Sequence, residues 1–365
     1  MRLPQSRPRP PAEGRPATAR GSSIPFLKTI RLEEPGRFAA WDTEPPPAPP
    51  AGHALVAVHR IGVCGTDLHA FSGNQPFFSY PRVLGHELGV EVLAVGDGVS
   101  TVAPGDRCSV EPYMNCGTCI ACRRGAPNCC THLQVLGVHT DGGMQERITL
   151  PARKLHPSKA LTYDQLALVE TLGIGCHAVS RAKLVRDEWV LVVGAGPIGL
   201  SVIQFAAEAG ARVVALDVNA ARLSFCGSQL GVAHRIDASK EDALGALQRI
   251  TAGDLPTAVF DATGNPKSMM GAFQFPAHGG RLVFVGLFQG DVTFNDPNFH
   301  KRELTLLASR NALPGDFTRI IQLIEAGRID TSPWITHRCS LGDVAREFPG
   351  WTKPEAGVIK AMIEV

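Results

Sequence analysis

Hydrophobic and polar positions divide the chain into three textures. Residues 1–24 show no hydrophobic period and hold five arginines, five prolines and a single acid, Glu13. A stretch of that kind cannot bury enough apolar surface to offset the entropy of ordering it, so a disordered tail is predicted. A transit peptide is the rival reading, but its prolines would break the amphipathic helix such peptides use. From Ile24 the pattern turns strand-like, over 28–32 and, after a proline-rich loop at 45–50, over 54–59 with period-two alternation. An antiparallel, barrel-like unit is expected there. Near Val190 short apolar runs at 189–193, 212–216, 259–262 and 281–285 begin to alternate with helical stretches such as 198–209. Buried strands alternating with helices are how a doubly wound parallel sheet reads. A helix near 317–326 has no following strand–helix unit and suggests a return to the first unit. The expected architecture is α/β: a β-rich unit of 25–175 and 308–365, and a Rossmann-type unit of 176–307.

Composition sharpens this picture only slightly. At 365 residues two cores are the natural expectation, and 44% hydrophobic with 19% charged residues and 38 glycines suits a soluble, turn-rich protein. A formal charge of +2 gives no reason to expect nucleic acid or a membrane as partner. No apolar run reaches the roughly 20 residues of a membrane span, and no signal peptide is evident, so a cytoplasmic enzyme with a small-molecule substrate is expected.

The ten cysteines change it more. Cys116, Cys119, Cys122, Cys129 and Cys130 fall within fifteen positions, while Cys64, Cys108, Cys176, Cys226 and Cys339 are scattered. Clustering in a long chain points to metal rather than disulfides. The spacing Cys116-x2-Cys119-x2-Cys122-x7-Cys130 suits a closed tetrahedral zinc with four sulfurs, with Cys129 as a substitute for Cys130. An iron–sulfur cluster is the alternative, though its partner arrangement is missing.

Two further motifs carry chemistry. The run 190–199, VLVVGAGPIG, leads an apolar strand into Gly194-Ala195-Gly196-Pro197-Ile198-Gly199 and then a helix. The first glycine allows the tight turn, the second a close pyrophosphate, the third helix-on-strand packing. Eighteen positions beyond Gly199, Asp217 ends the next strand, where a carboxylate accepts both ribose hydroxyls and repels a 2′-phosphate, favouring NAD over NADP. Arg222 lies close enough to count as a cofactor candidate that weakens this preference. The segments 62–69 (GVCGTDLH) and 85–87 (GHE) offer a thiolate, an imidazole and carboxylates, which is the donor set of a catalytic zinc with one open position. Singly, His86 reads as a core histidine and Cys64 as a small apolar residue; together they read as ligands.

With these motifs the chain resembles the zinc-containing medium-chain dehydrogenase/reductase superfamily from about Ile24 to its C-terminus. The resemblance implies a GroES-like catalytic domain beside a Rossmann domain, two zinc ions per chain, NAD, and a homodimer or homotetramer. It implies Cys64 and His86 as catalytic zinc ligands, with Glu87 and Glu170 as further ligands or partners, as in the polyol and threonine dehydrogenases of the family. Glu170 stands in Val169-Glu170-Thr171-Leu172, where the family usually writes Glu-Pro. Thr66 and His69 then match a proton relay. The segments 74–81, 137–143, 285–288 and 309–312 are similar to relatives acting on sugar acids, which makes Arg310 a candidate for a substrate carboxylate and Phe77 and Tyr80 candidates for the pocket wall. A noncatalytic nucleotide sensor would predict a lost ligand or relay group, and none is lost.

Overall fold

The computed structural model describes residues 26–75 and 78–365; the predicted tail and Phe77 lie outside the described residues. Two sheets organise the molecule. The first has seven strands, running Ile335–Ser340, Lys360–Glu364, His53–Val63, Glu87–Val95, Arg107–Val110 and Leu155–Pro157, with Arg147–Pro151 also pairing on His53–Val63. All its pairings are antiparallel except that between Ile335–Ser340 and Lys360–Glu364. The alternation seen at 54–59 is the inner face of His53–Val63, whose Ala54, Val56 and Val58 are buried. The strand Lys360–Glu364 lies antiparallel on His53–Val63, so the C-terminal segment joins the first sheet.

The second sheet is parallel throughout and orders its strands His234–Asp237, Arg212–Asp217, Trp189–Val193, Ala258–Asp261, Arg281–Phe284, Thr305–Ala308. Numbered along the chain this is 3-2-1-4-5-6, the order that puts a crevice at the carboxyl end of the first strand. Strand Trp189–Val193 coincides with its predicted span, and the helix after it runs Pro197–Glu208.

One major element was not foreseen. The helix Tyr163–Ala182 spans twenty residues, capped by Thr162 and Gln165, and packs on both sheets' surroundings. Fourteen of its residues are buried, so no polar face alternates with an apolar stripe and the 3.6-residue signal is absent. The expected division between residues 175 and 176 falls inside this helix, which passes from one unit to the other without a linker. Among the described residues no helix is long and apolar enough to cross a membrane.

Candidate functional site

The strand His53–Val63 delivers Cys64, which occupies the N-cap of the helix Gly65–Phe71. The Cys64 N–H donates to Asp67 Oδ2 at 2.9 Å, fixing the turn. Gly85, at φ +94, turns the chain into Glu87–Val95 and presents His86 and Glu87 beside Cys64. The left-handed φ favours glycine, and a Cβ there would lie 2.9 Å from Ile61. One ligand atom from each of Cys64, His86 and Glu87 lies within 4.8 Å of the others. His86 and Glu87 are buried and Cys64 partly so. A Cβ at Gly62 would lie 2.1 Å from Glu87 Oε2, which is why a glycine stands there.

Groups that no local motif advertised hold these residues. Lys360, buried on the C-terminal strand, donates to both Glu87 oxygens at 2.6 and 2.7 Å and to the Val63 carbonyl at 3.2 Å. Burial disfavours its ammonium, but Glu87 and the Cys64 thiol outweigh this and raise its pKa. Tyr113 donates its hydroxyl to Glu170 Oε1 at 2.5 Å. Glu170 is buried, with its pKa raised by that burial, and stands outside the close Cys64–His86–Glu87 set. Asp67 Oδ1 lies 3.7 Å from His86 Nδ1, and neither atom has a hydrogen-bond partner among the described residues. Burial opposes a charged His86, yet Asp67 and Cys64 raise its pKa well above the ordinary value. The field at this point therefore favours positive charge, and the soft and borderline donors suit zinc.

Cys116, Cys119, Cys122 and Cys130 form the second cluster, with Sγ separations of 3.5 Å for 119–122, 3.8 Å for 119–130 and 3.5 Å for 116–130. Four sulfurs each about 2.3 Å from one tetrahedral zinc would be spaced this way. Cys129 is exposed and outside the cluster, which decides for Cys130. N–H groups of Thr118 and Cys119 bring the Cys116 thiol down to about 5, and the N–H groups of Cys122 and Thr131 bring Cys119 to about 6. Both are thus disposed to be thiolates at neutral pH, the form that binds metal. Cys119→Ser is expected to lower the thermal midpoint and to remove the further loss that a strong chelator causes in the parent protein, because closed zinc sites contribute folding energy. Unchanged melting with and without chelator in the parent would contradict this.

At the glycine turn, Gly194 adopts φ +93, and a Cβ on Gly199 would meet the Gly194 oxygen at 1.7 Å. A Cβ on Gly196 would meet only Arg222 Nη1, at 3.7 Å, so this face is open for a ligand at the N-terminus of Pro197–Glu208. Ile198 is partly buried in the first turn of that helix. Asp217 is 8% exposed, not a solvated strand end; it accepts from the Ala195 N–H at 2.6 Å and the Asn219 N–H at 2.8 Å. A cleft of about 430 Å³ is lined by Val63 and Gly65, which flank Cys64, and by Pro197, Arg222 and Lys353. Its lining thus carries the neighbours of Cys64 and, from the glycine turn, Pro197.

Thr66 is partly buried and His69 exposed in the same helix. Thr66 is not the helix cap, a position held by Cys64. Arg310 is exposed, with its carbonyl bonded to Asn128. Tyr80 gives its hydroxyl to the Ala70 carbonyl at 2.5 Å and packs on Phe78.

Residues 50–160 match the family model of the alcohol dehydrogenase GroES-like domain and residues 197–326 that of the zinc-binding dehydrogenase. The L-galactonate-5-dehydrogenase of Escherichia coli (strain K12) is 41% identical over 308 residues, covering 84% of this chain and 90% of the relative. The L-threonine 3-dehydrogenase of Bacillus velezensis is 32% identical over 341 residues, covering 91% and 98%. Among solved structures, the short chain alcohol dehydrogenase rspB of Escherichia coli CFT073, complexed with the cofactor NADH, is similar with a TM-score of 0.87 at 29% identity, over 93% of this chain and 100% of that one.

Proposed function

We propose, from the premise that the chain belongs to the zinc-binding alcohol dehydrogenase family, that it oxidises a secondary alcohol of a sugar acid of the L-galactonate or L-gulonate kind with NAD. Membership makes it a zinc- and nicotinamide-dependent oxidoreductase acting on a small molecule. The observation that carries the reading is the cleft that has the Cys64 turn on one side and the Gly194–Gly199 turn on the other.

Cys64 and His86, with Glu87 or Glu170, would hold the reactive zinc, and Cys116, Cys119, Cys122 and Cys130 the second. When bound, zinc supplies a Lewis acid beside the reacting hydroxyl, and the dinucleotide supplies the hydride acceptor. Thr66 takes the substrate proton and His69, exposed in the same helix, passes it to solvent. Lys360 bonds both Glu87 oxygens and holds that carboxyl in place, and Tyr113 orients Glu170. Gly196 leaves room for the pyrophosphate, with Arg222 adding positive charge beside it. Asp217 accepts the ribose hydroxyls, and its charge disfavours a 2′-phosphate. Asp217→Asn is expected to narrow the preference for NAD over NADP by about tenfold, since bonds to a charged group are worth about 1.5–3 kcal/mol. An unchanged ratio of kcat/KM for the two cofactors would remove Asp217 from this role.

Arg310 is assigned to the substrate carboxylate, where a guanidinium suits a planar anion. The resemblance to an L-threonine 3-dehydrogenase supports a second reading, an amino-alcohol substrate. A panel of L-galactonate, L-gulonate, L-threonine, sorbitol and galactitol, read by NADH absorbance, separates them. The highest kcat/KM is expected for a hexonate, and a maximum on L-threonine or sorbitol would overturn the substrate assignment. We propose a cytoplasmic homodimer or homotetramer, checked by light scattering of the zinc-loaded protein; a monomer would refute the assembly.

A further inference from the structure

The Arg310 carbonyl accepts a hydrogen bond from Asn128 Nδ2 at 2.9 Å, and Asn311 Nδ2 donates to the Asn128 carbonyl at 3.4 Å. Asn128 is 3% exposed and lies inside the four-cysteine loop, between Cys122 and Cys130. Asn311 adopts φ 55, in the left-handed region, so the two bonds clamp a backbone shape that few residues adopt.

Asn128 Nδ2 also stands 3.2 Å from His177 Nε2. An amide nitrogen only donates, so Nε2 is the acceptor of this pair. His177 Nδ1 lies 3.2 Å from Asp316 Oδ2 without a hydrogen bond between them, and Asp316 is fixed by the Leu313 N–H at 2.8 Å. His177 belongs to Tyr163–Ala182, two turns beyond Glu170, and Asp316 to the helix Pro314–Glu325. The amide nitrogen is thus shared between His177, on the helix Tyr163–Ala182, and the Arg310 carbonyl, so it ties that helix to the backbone of Arg310.

We infer that Asn128 is a positioning residue that sets where the Arg310 guanidinium stands, so that the four-cysteine loop governs substrate affinity as well as holding the fold. This rests on the assignment of Arg310 to the substrate carboxylate. Arg310 is exposed and its long side chain loses rotamer freedom on binding. Fixing its backbone limits that cost, and releasing the backbone from Asn128 restores the freedom that must be lost again.

The test compares KM for L-galactonate and for its uncharged amide in zinc-loaded Asn128→Ala, Arg310→Ala and the double variant. In Arg310→Ala the KM for L-galactonate should rise by about tenfold or more, and in Asn128→Ala by about fivefold, with the amide moving less in both. The double variant should resemble Arg310→Ala, because Asn128 acts through it. His177→Leu, on a different element, should shift KM in the same direction and carries the test if Asn128→Ala fails to fold. An effect in Arg310→Ala with none in Asn128→Ala or His177→Leu, or fully additive effects in the double variant, overturns the positioning role and leaves the substrate reading intact. No effect in Arg310→Ala overturns the assignment of Arg310 to the substrate carboxylate, and the positioning role with it.

Discussion

Cys64→Ala is expected to lower turnover by about a thousandfold or more while NADH still binds with near-parental affinity. A Lewis acid at the reacting oxygen is worth several kcal/mol of transition-state stabilisation, and each 1.36 kcal/mol is about tenfold in rate. Cys64 supplies the sulfur of the close ligand set, and no second thiol stands in that set to replace it. The glycine turn and Asp217 are built on the parallel sheet and borrow nothing from Cys64, so cofactor affinity should survive. Steady-state kinetics and a fluorescence titration with NADH check the two halves separately. Parental turnover in a variant with no zinc at this site would contradict the assignment.

Lys360→Met is the second large effect, expected to cost about 3–5 kcal/mol of stability, the range found when one partner of a buried pair is removed. Glu87 is fully buried and Lys360 1% exposed, and the ammonium makes both of its carboxylate bonds. Without the lysine the carboxylate keeps its desolvation penalty and loses its compensating charge. The double variant Glu87→Leu with Lys360→Met should recover most of the loss, because it removes the orphan charge as well. Denaturant unfolding of both variants reads the difference. Equal destabilisation of the single and double variants would show that packing, not charge, is at stake.

What could be read from the sequence followed from how locally each feature is encoded. The glycine turn, the cysteine spacing and the pairing of Cys64 with His86 are short patterns whose geometry is set by a few bonds, and the structure brings each together within a single turn or ladder. The spacing already favoured Cys130 and kept Cys129 as a substitute; the backbone around Pro127–Cys129 leaves Cys129 exposed and turns Cys130 inward. Lys360 and Glu87 are 273 positions apart, and the lysine sits in an ordinary C-terminal strand. Nothing nearby signals a buried ammonium. Tyr113 and Glu170, 57 positions apart, are likewise joined only by the packing of Tyr163–Ala182 on the first unit. That helix itself escaped notice because it is apolar on nearly every side. Asp67 was within reach: it stands three positions after Cys64, at the spacing that closes a capping turn.

In the proposed function the metal chemistry is divided between two clusters, one that would work on substrate and one that would hold the loop carrying Asn128. Zinc content per chain, measured on the purified parent and on Cys64→Ala, tests that division most directly. Two zinc ions in the parent and one in the variant, with the remaining zinc and the fold intact, is the predicted result. One zinc in the parent, or two in Cys64→Ala, would contradict it.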